Sequence, residues 1–481
     1  MAGVPCGPMT ARWTERLVSR RGAVLLVVVA LAGYALQALA WPLERGRDSW
    51  DYWLWFLQAA DGDPPFSALQ VFRTPVAPLV TGIPMWLGGA GLTEVVLAWW
   101  AGAVVRAWLT GSTAWLSAVG VGVALLTLTR PAAQIALLAC VLVPLLARRR
   151  WTPALRGVAT CLAAAVLPLA AWAAHNAVRY DDLAVARGGK AWVPFFRVAG
   201  DVDPANGDAS RRLADAIEQE VLTQPPYASR GVDIETYFKG AGNLEVIRMI
   251  ALSDRVFGWD SDYDTLLDAS LEAIRADPWP YVRGVGETFW DFLSQRYAPE
   301  PRARPVPIPD LPPELVIAGN GFPSITVTPL VEAVRYGLVW CPTDDLERCV
   351  VPDPEAALGD PDQARRYDEL IDTVRDWNAQ LPVRDSNAWL ASKGGTASDR
   401  WPRSILWITV AAVALAVRRP RGSAPILVLM GVGALVLGVH ALSQAPQSEF
   451  ALPFVPVWIV AALVGLLAPA ARSEGGTRAP S

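Results

Sequence analysis

The chain has 481 residues, of which 53% are hydrophobic and only 18% charged, with a net charge of −4. A soluble protein would carry more charge, about 25%, and so neutral a balance gives nucleic-acid binding no electrostatic support. With two histidines and five scattered cysteines there is no zinc-type cluster, and the chain has no Walker-type phosphate loop, no HExxH motif and no internal repeat.

Bilayer crossings need roughly 20 apolar residues each. In chain order such runs are 22–41, 91–108, 112–130, 131–147, 155–175, 403–417, 423–442 and 450–469. The first is read as a retained span, because it is long and lacks a small-x-small cleavage site. Arginines fix the orientation. Arg12, Arg16, Arg20 and Arg21 precede the first span; Arg148, Arg149, Arg150 and Arg156 separate the fourth and fifth; Arg418, Arg419 and Arg421 separate the sixth and seventh. All three clusters fall on one side, the cytoplasm by the positive-inside trend. The stretch 76–90 is read as interfacial or re-entrant rather than as a ninth span, because of its Pro and Gly content and because a ninth span would turn Arg148–Arg150 outward. The 22 tryptophans suit long membrane interfaces.

The expectation is therefore a polytopic α-helical membrane protein of about eight transmembrane helices, with a mostly helical extracytoplasmic domain between spans five and six. Tails 1–21 and 470–481 are cytoplasmic, 22–175 and 403–469 form the membrane domain, and 42–90 and 176–402 face outside. Within 176–402 the periodicity predicts helices at Ala209–Leu222 and Asp262–Ala276, where Leu266, Leu267, Leu271 and Ile274 share a face. Pro278 and Pro280 are expected to stop the second. Tyr281–Phe292 is amphipathic and aromatic, suited to rest on a membrane. Arg302–Pro313 reads as extended, Glu314–Ile317 and Ile325–Val327 as strands, and Asp362–Trp377 as a helix. Cys341 and Cys349 are a local disulfide if this region lies in an oxidising compartment, and two free thiols otherwise.

The residues that could carry chemistry gather at the outer rim. Asp48 and Asp51, three apart, share a helical face with Tyr52 close by. A carboxylate there can act as a general base or hold a divalent cation beside phosphate, or it can simply cap a solvated helix start. Arg73 and Arg130 can each grip a phosphate through the forked guanidinium, or serve as ordinary headgroup contacts. His175, Asn176, His440 and Glu449 lie at the outer ends of spans, and Lys190 follows a Gly-Gly turn where it could meet an anionic donor.

This layout resembles the GT-C superfamily of membrane glycosyltransferases, in particular the bacterial branch akin to protein mannosyltransferases and the lipid A aminoarabinose transferase. The resemblance rests on Asp48 followed by Tyr52, on Arg73-Thr74-Pro75-Val76-Ala77-Pro78, and on Thr129-Arg130-Pro131 before a span. It extends to His175-Asn176 where the family has Arg-Asn, to Ala273-Ile274 through Pro278 to Tyr281, and to Glu449 through Pro456, which is similar to an Arg-Tyr-x-x-Pro-x-x-Pro element. It implies transfer of a sugar from a polyprenyl-phosphate donor to an envelope acceptor on the outer face of a bacterial plasma membrane. Asp48 would be the catalytic base, Asp51 a second acid, and Arg73, Arg130 and Lys190 the donor-phosphate contacts. Tyr52, His175, Asn176, His440 and Glu449 would line the site. Membrane lipids are the other expected partner, nucleic acid is not, and a divalent cation is the only cofactor considered. The same layout fits a catalytically inactive relative that acts as an envelope binding or scaffold protein.

Overall fold

The computed structural model describes residues 113–128, 131–147, 151–224, 227–241, 243–294, 314–318, 325–329, 402–418, 423–443 and 454–467, with a few isolated positions besides. The described residues are mostly helical. The expected spans 22–41 and 91–108, and the loop 42–90, lie outside them.

Six apolar helices form one bundle. They are α1 (Thr113–Thr127), α2 (Leu137–Ala147), α3 (Trp151–Tyr180), α11 (Ser404–Arg418), α12 (Ser423–Ser443) and α13 (Val455–Leu467). A 3-10 turn, Pro131–Ala136, leads into α2; proline suits this start because the first N–H of a helix has no intrahelical partner. Each helix falls within a few residues of an apolar run in the sequence. Among the described residues only Thr152–Tyr180 is long and apolar enough to cross a membrane, with a mean hydropathy of 1.8. At 1.5 Å per residue α3 measures about 45 Å, against a hydrocarbon core of about 30 Å.

The bundle packs around Leu116, Val123, Cys140, Cys161, Leu437 and Trp458, all almost fully buried. Gly120 lets α1 and α3 approach closely, since a Cβ there would lie 2.2 Å from the Cys161 carbonyl and 2.8 Å from the Ala164 Cβ. Contact through small residues is the way helices pack where no water drives them together. The outer faces are apolar as well: Leu155, Leu167, Val413 and Val417 are all exposed.

Between α3 and α11 lies a second helical unit with its own core. It comprises α4 (Gly189–Val198), α5 (Asp208–Glu220), α6 (Tyr227–Arg230), α7 (Ile234–Lys239), α8 (Asn243–Phe257), α9 (Asp264–Ala276) and α10 (Pro278–Ser294). Phe195, Leu213, Ile217, Tyr237, Met249 and Leu266 fill that core. Helix α5 lies where the periodicity predicted one. Helix α9 starts two residues later than expected, because Asp262 and Tyr263 take left-handed conformations at φ 48° and 61° and close a turn first. Helix α9 ends at Ala276, just ahead of Pro278 and Pro280, as expected. Only Asp277 breaks the chain, and Pro278 opens α10 at the first helical position, where a fixed φ is an advantage.

Strands β1 (Glu314–Ala318) and β2 (Ile325–Pro329) pair antiparallel, with Glu314 opposite Pro329 and Ala318 opposite Ile325. They cover both predicted strand segments. Arg302–Pro313, Cys341, Cys349 and Asp362–Trp377 lie outside the described residues.

Candidate functional site

Of the residues expected to carry chemistry, Asp48, Asp51, Tyr52, Arg73, Arg130 and Glu449 lie outside the described residues. His175, Asn176, Lys190 and His440 lie within them, where the bundle meets the helical unit.

The last turns of α3 hold the chain that leaves it. Trp172 Nε1 donates to the Val185 carbonyl at 3.1 Å, and buried Asn176 donates through Nδ2 to the Ala184 carbonyl at 2.7 Å. His175 stacks on Trp172 with ring centroids 5.0 Å apart and meets Tyr180 edge-on. Residues 181–188 are thus folded back onto α3, and Asn176 spends its Nδ2 donor on backbone while its buried Oδ1 has no hydrogen-bond partner among the described residues.

The next anchor is Arg187, which is 4% exposed. Its guanidinium pairs with Asp182 and Asp254 at 3.1 Å each, donates to the Tyr263 hydroxyl at 3.3 Å and lies over the Tyr263 ring at 4.7 Å. Burial works against this charge, but the tyrosine and the two carboxylates outweigh it and raise the Arg187 pKa. Burial also raises the pKa of Asp254, against the pull of Tyr263 and Arg187.

Lys190, three residues on, pairs with Asp262 at 2.8 Å and Asp264 at 3.3 Å. These partners raise its pKa against slight burial. Its charge is already matched twice, which fits a tether between the starts of α4 and α9 better than an open anion contact.

His440 is half-buried in the last turn of α12. Beside it the carbonyl of Ala441 accepts from Arg197 Nη2 at 2.8 Å, and that of Leu442 accepts from the Tyr281 hydroxyl at 3.4 Å. Arg197 Nη2 also donates to Thr288 Oγ1 at 2.8 Å. A guanidinium at a helix C-terminus satisfies carbonyls that lack intrahelical partners and suits the negative end of the dipole. Sequence reading missed Arg197. Its signal was a lone cation in the aromatic run Trp192 to Val198.

A cleft of about 550 Å³ opens beside this junction, over Phe238 and Ile274, with Asp201, Asp203, Glu235 and Asp277 on its wall and one cation, Lys239, which is paired with Glu235. Burial, with Asp277 nearby, pushes the Asp201 carboxyl above its ordinary range. Such a wall repels phosphate and accepts hydroxyl or ammonium donors. Among the described residues no group of three or more His, Cys, Asp or Glu side chains gathers as a metal site. The chain matches no family model, no curated protein and no solved structure.

Proposed function

We propose that the chain is a multi-pass glycosyltransferase of the bacterial plasma membrane, moving a sugar from a polyprenyl-phosphate donor to an envelope glycan, lipid or protein on the outer face. The supporting observation is the order of motifs: Asp48 and Tyr52, then Arg73-Thr74-Pro75-Val76-Ala77-Pro78, then Thr129-Arg130-Pro131. It resembles the GT-C pattern and puts a carboxylate and two guanidiniums at one membrane face. The lipid tail stays in the bilayer while phosphate and sugar sit at its surface. Asp48 takes the proton of the acceptor hydroxyl or amine. The acceptor forms the new bond to the anomeric carbon as the bond to the phosphate oxygen breaks, so the configuration inverts and polyprenyl phosphate leaves. Arg73 and Arg130 neutralise that leaving group.

The arginine roles are tested by transfer kinetics over a range of donor concentrations. Arg73→Gln removes a charge-assisted contact of about 1.5–3 kcal/mol, and should raise the donor KM by about 10- to 100-fold. An unchanged KM in both Arg73→Gln and Arg130→Gln would remove them from the donor site.

One observation favours the second reading, an inactive relative that binds or scaffolds envelope components. Lys190 and Asn176, two of the expected site residues, are engaged within the chain, by Asp262 and Asp264 and by the Ala184 carbonyl. Failure of every donor to react, with the protein folded, would establish that alternative.

A further inference from the structure

Helix α10 presents three different sides. Val285, Thr288, Phe289, Phe292 and Leu293 turn towards protein, and Phe292 and Leu293 belong to the core of the apolar bundle. Arg283, Glu287 and Asp291 are exposed on one flank, the first two paired at 2.8 Å. Trp279, Val282 and Trp290 adjoin that flank on its apolar side, with Arg283 at the border, four residues on from Trp279, and are 69%, 56% and 56% exposed. Two tryptophans and a valine open to water on an otherwise well-packed helix call for a covering partner.

The position of α10 says which partner. The helix packs against α11 and α12. Helix α12 runs 21 residues, about 31 Å, and its continuous apolar stretch is Met430–Leu442. Tyr281, near the start of α10, donates to the Leu442 carbonyl at the very end of α12. The start of α10 is therefore level with the end of an apolar helix of the bundle. On α11, Leu406, next to the core contacts Ile405 and Trp407, is 55% exposed as well.

We infer that α10 is an interfacial helix whose Trp279, Val282 and Trp290 flank lies in the lipid headgroup boundary, so that it fixes the height and tilt of the helical unit on the bilayer. Indole rings settle at that boundary because one end is apolar and the other a hydrogen-bond donor. Arg283, Glu287 and Asp291 then face water while the third side grips the bundle. The inference rests on the membrane reading of the apolar bundle, though not on its catalytic part.

The test is nitroxide labelling of the full chain in phospholipid nanodiscs, with Cys6, Cys341 and Cys349 replaced by serine and the fully buried Cys140 and Cys161 retained. Single labels go on through Trp279→Cys, Val282→Cys, Trp290→Cys, Arg283→Cys, Glu287→Cys and Asp291→Cys. A Leu167→Cys label on exposed α3 reports on the bundle itself. The expected result is that labels at 279, 282 and 290 collide several-fold more with oxygen than with a water-soluble nickel chelate, that labels at 287 and 291 do the reverse, and that the label at the border position 283 falls between them. If Trp290→Cys fails to fold, positions 279 and 282 carry the comparison. Access of the chelate to 279 and 282 while Leu167→Cys stays lipid-exposed would overturn the inference and leave the membrane reading standing. Access to Leu167→Cys as well would overturn both. Labels at 279 and 282 shielded from both probes would mean that protein, a second copy included, covers the flank, which also overturns it.

Discussion

Arg197 joins two regions far apart in the chain, since its partner Ala441 is 244 residues away. Burial lowers its pKa, while Tyr281 and Glu287 pull it back up, and its bonds to Thr288 and Ala441 are charge-assisted. Arg197→Met should cost about 1.5–3 kcal/mol, read as a lower thermal unfolding midpoint in detergent, with Arg197→Lys recovering part of the loss. Glu272 caps α5 from another helix: its carboxylate accepts from the Ala209 and Ser210 backbone N–H groups at 3.1 and 2.8 Å and from the Ser210 hydroxyl at 2.7 Å. Gly207 makes room, since a Cβ there would lie 2.2 Å from the Glu272 carboxyl carbon. Partial burial raises the Glu272 pKa, but these hydrogen bonds outweigh it, leaving the group below its ordinary 4.5. The unfolded chain then binds this proton more readily than the folded one. The contribution of the cap to stability is fully present above pH 4.5 and fades as the pH falls through the lower folded value. Glu272→Gln should weaken the loss of stability in that acid range, as followed by chemical unfolding at a series of pH values.

At the scale of elements, the contact of α1 with α3 depends on Gly120. Valine there meets backbone, which cannot swing aside as a side chain does. Gly120→Val should separate the helices and cost about 1–3 kcal/mol, seen as a lower midpoint in detergent, whereas the same change at Gly431, with open space around its Cβ position, should cost far less. The apolar helices were legible because hydropathy alone marks them, and β1 and β2 because short branched runs do. The end of α3 was not. The apolar run stops at 175, but the helix continues to Tyr180 on the strength of contacts that Trp172 and Asn176 make with residues 184 and 185. Pro278 was read as the stop of α9, which does end at Ala276; that it also opens α10 was not read, because one residue, Asp277, is enough to change direction. The partners of Arg187 and Lys190 were invisible for a common reason: Asp254, Asp262, Tyr263 and Asp264 lie more than 60 residues along the chain, and no local pattern pairs them.

For the molecule as a whole, a helical unit sits on an apolar bundle, joined at the end of α3 by the chain it folds back and at the end of α12 by Arg197 and Tyr281. The mainly acidic cleft beside the junction is unsuited to phosphate. Of the expected site residues, His175, Asn176, Lys190 and His440 fall among the described residues, and the partners that engage Asn176 and Lys190 lie beyond any local motif. The most direct test is transfer of label from a panel of polyprenyl-phosphate sugars to endogenous acceptors in membranes containing wild-type or Asp48→Asn protein. Transfer from one donor by the wild type, lost in Asp48→Asn at equal expression, is the predicted result. Transfer unaffected by Asp48→Asn would remove Asp48 as the base, and no transfer from any donor by folded wild-type protein would contradict the glycosyltransferase assignment.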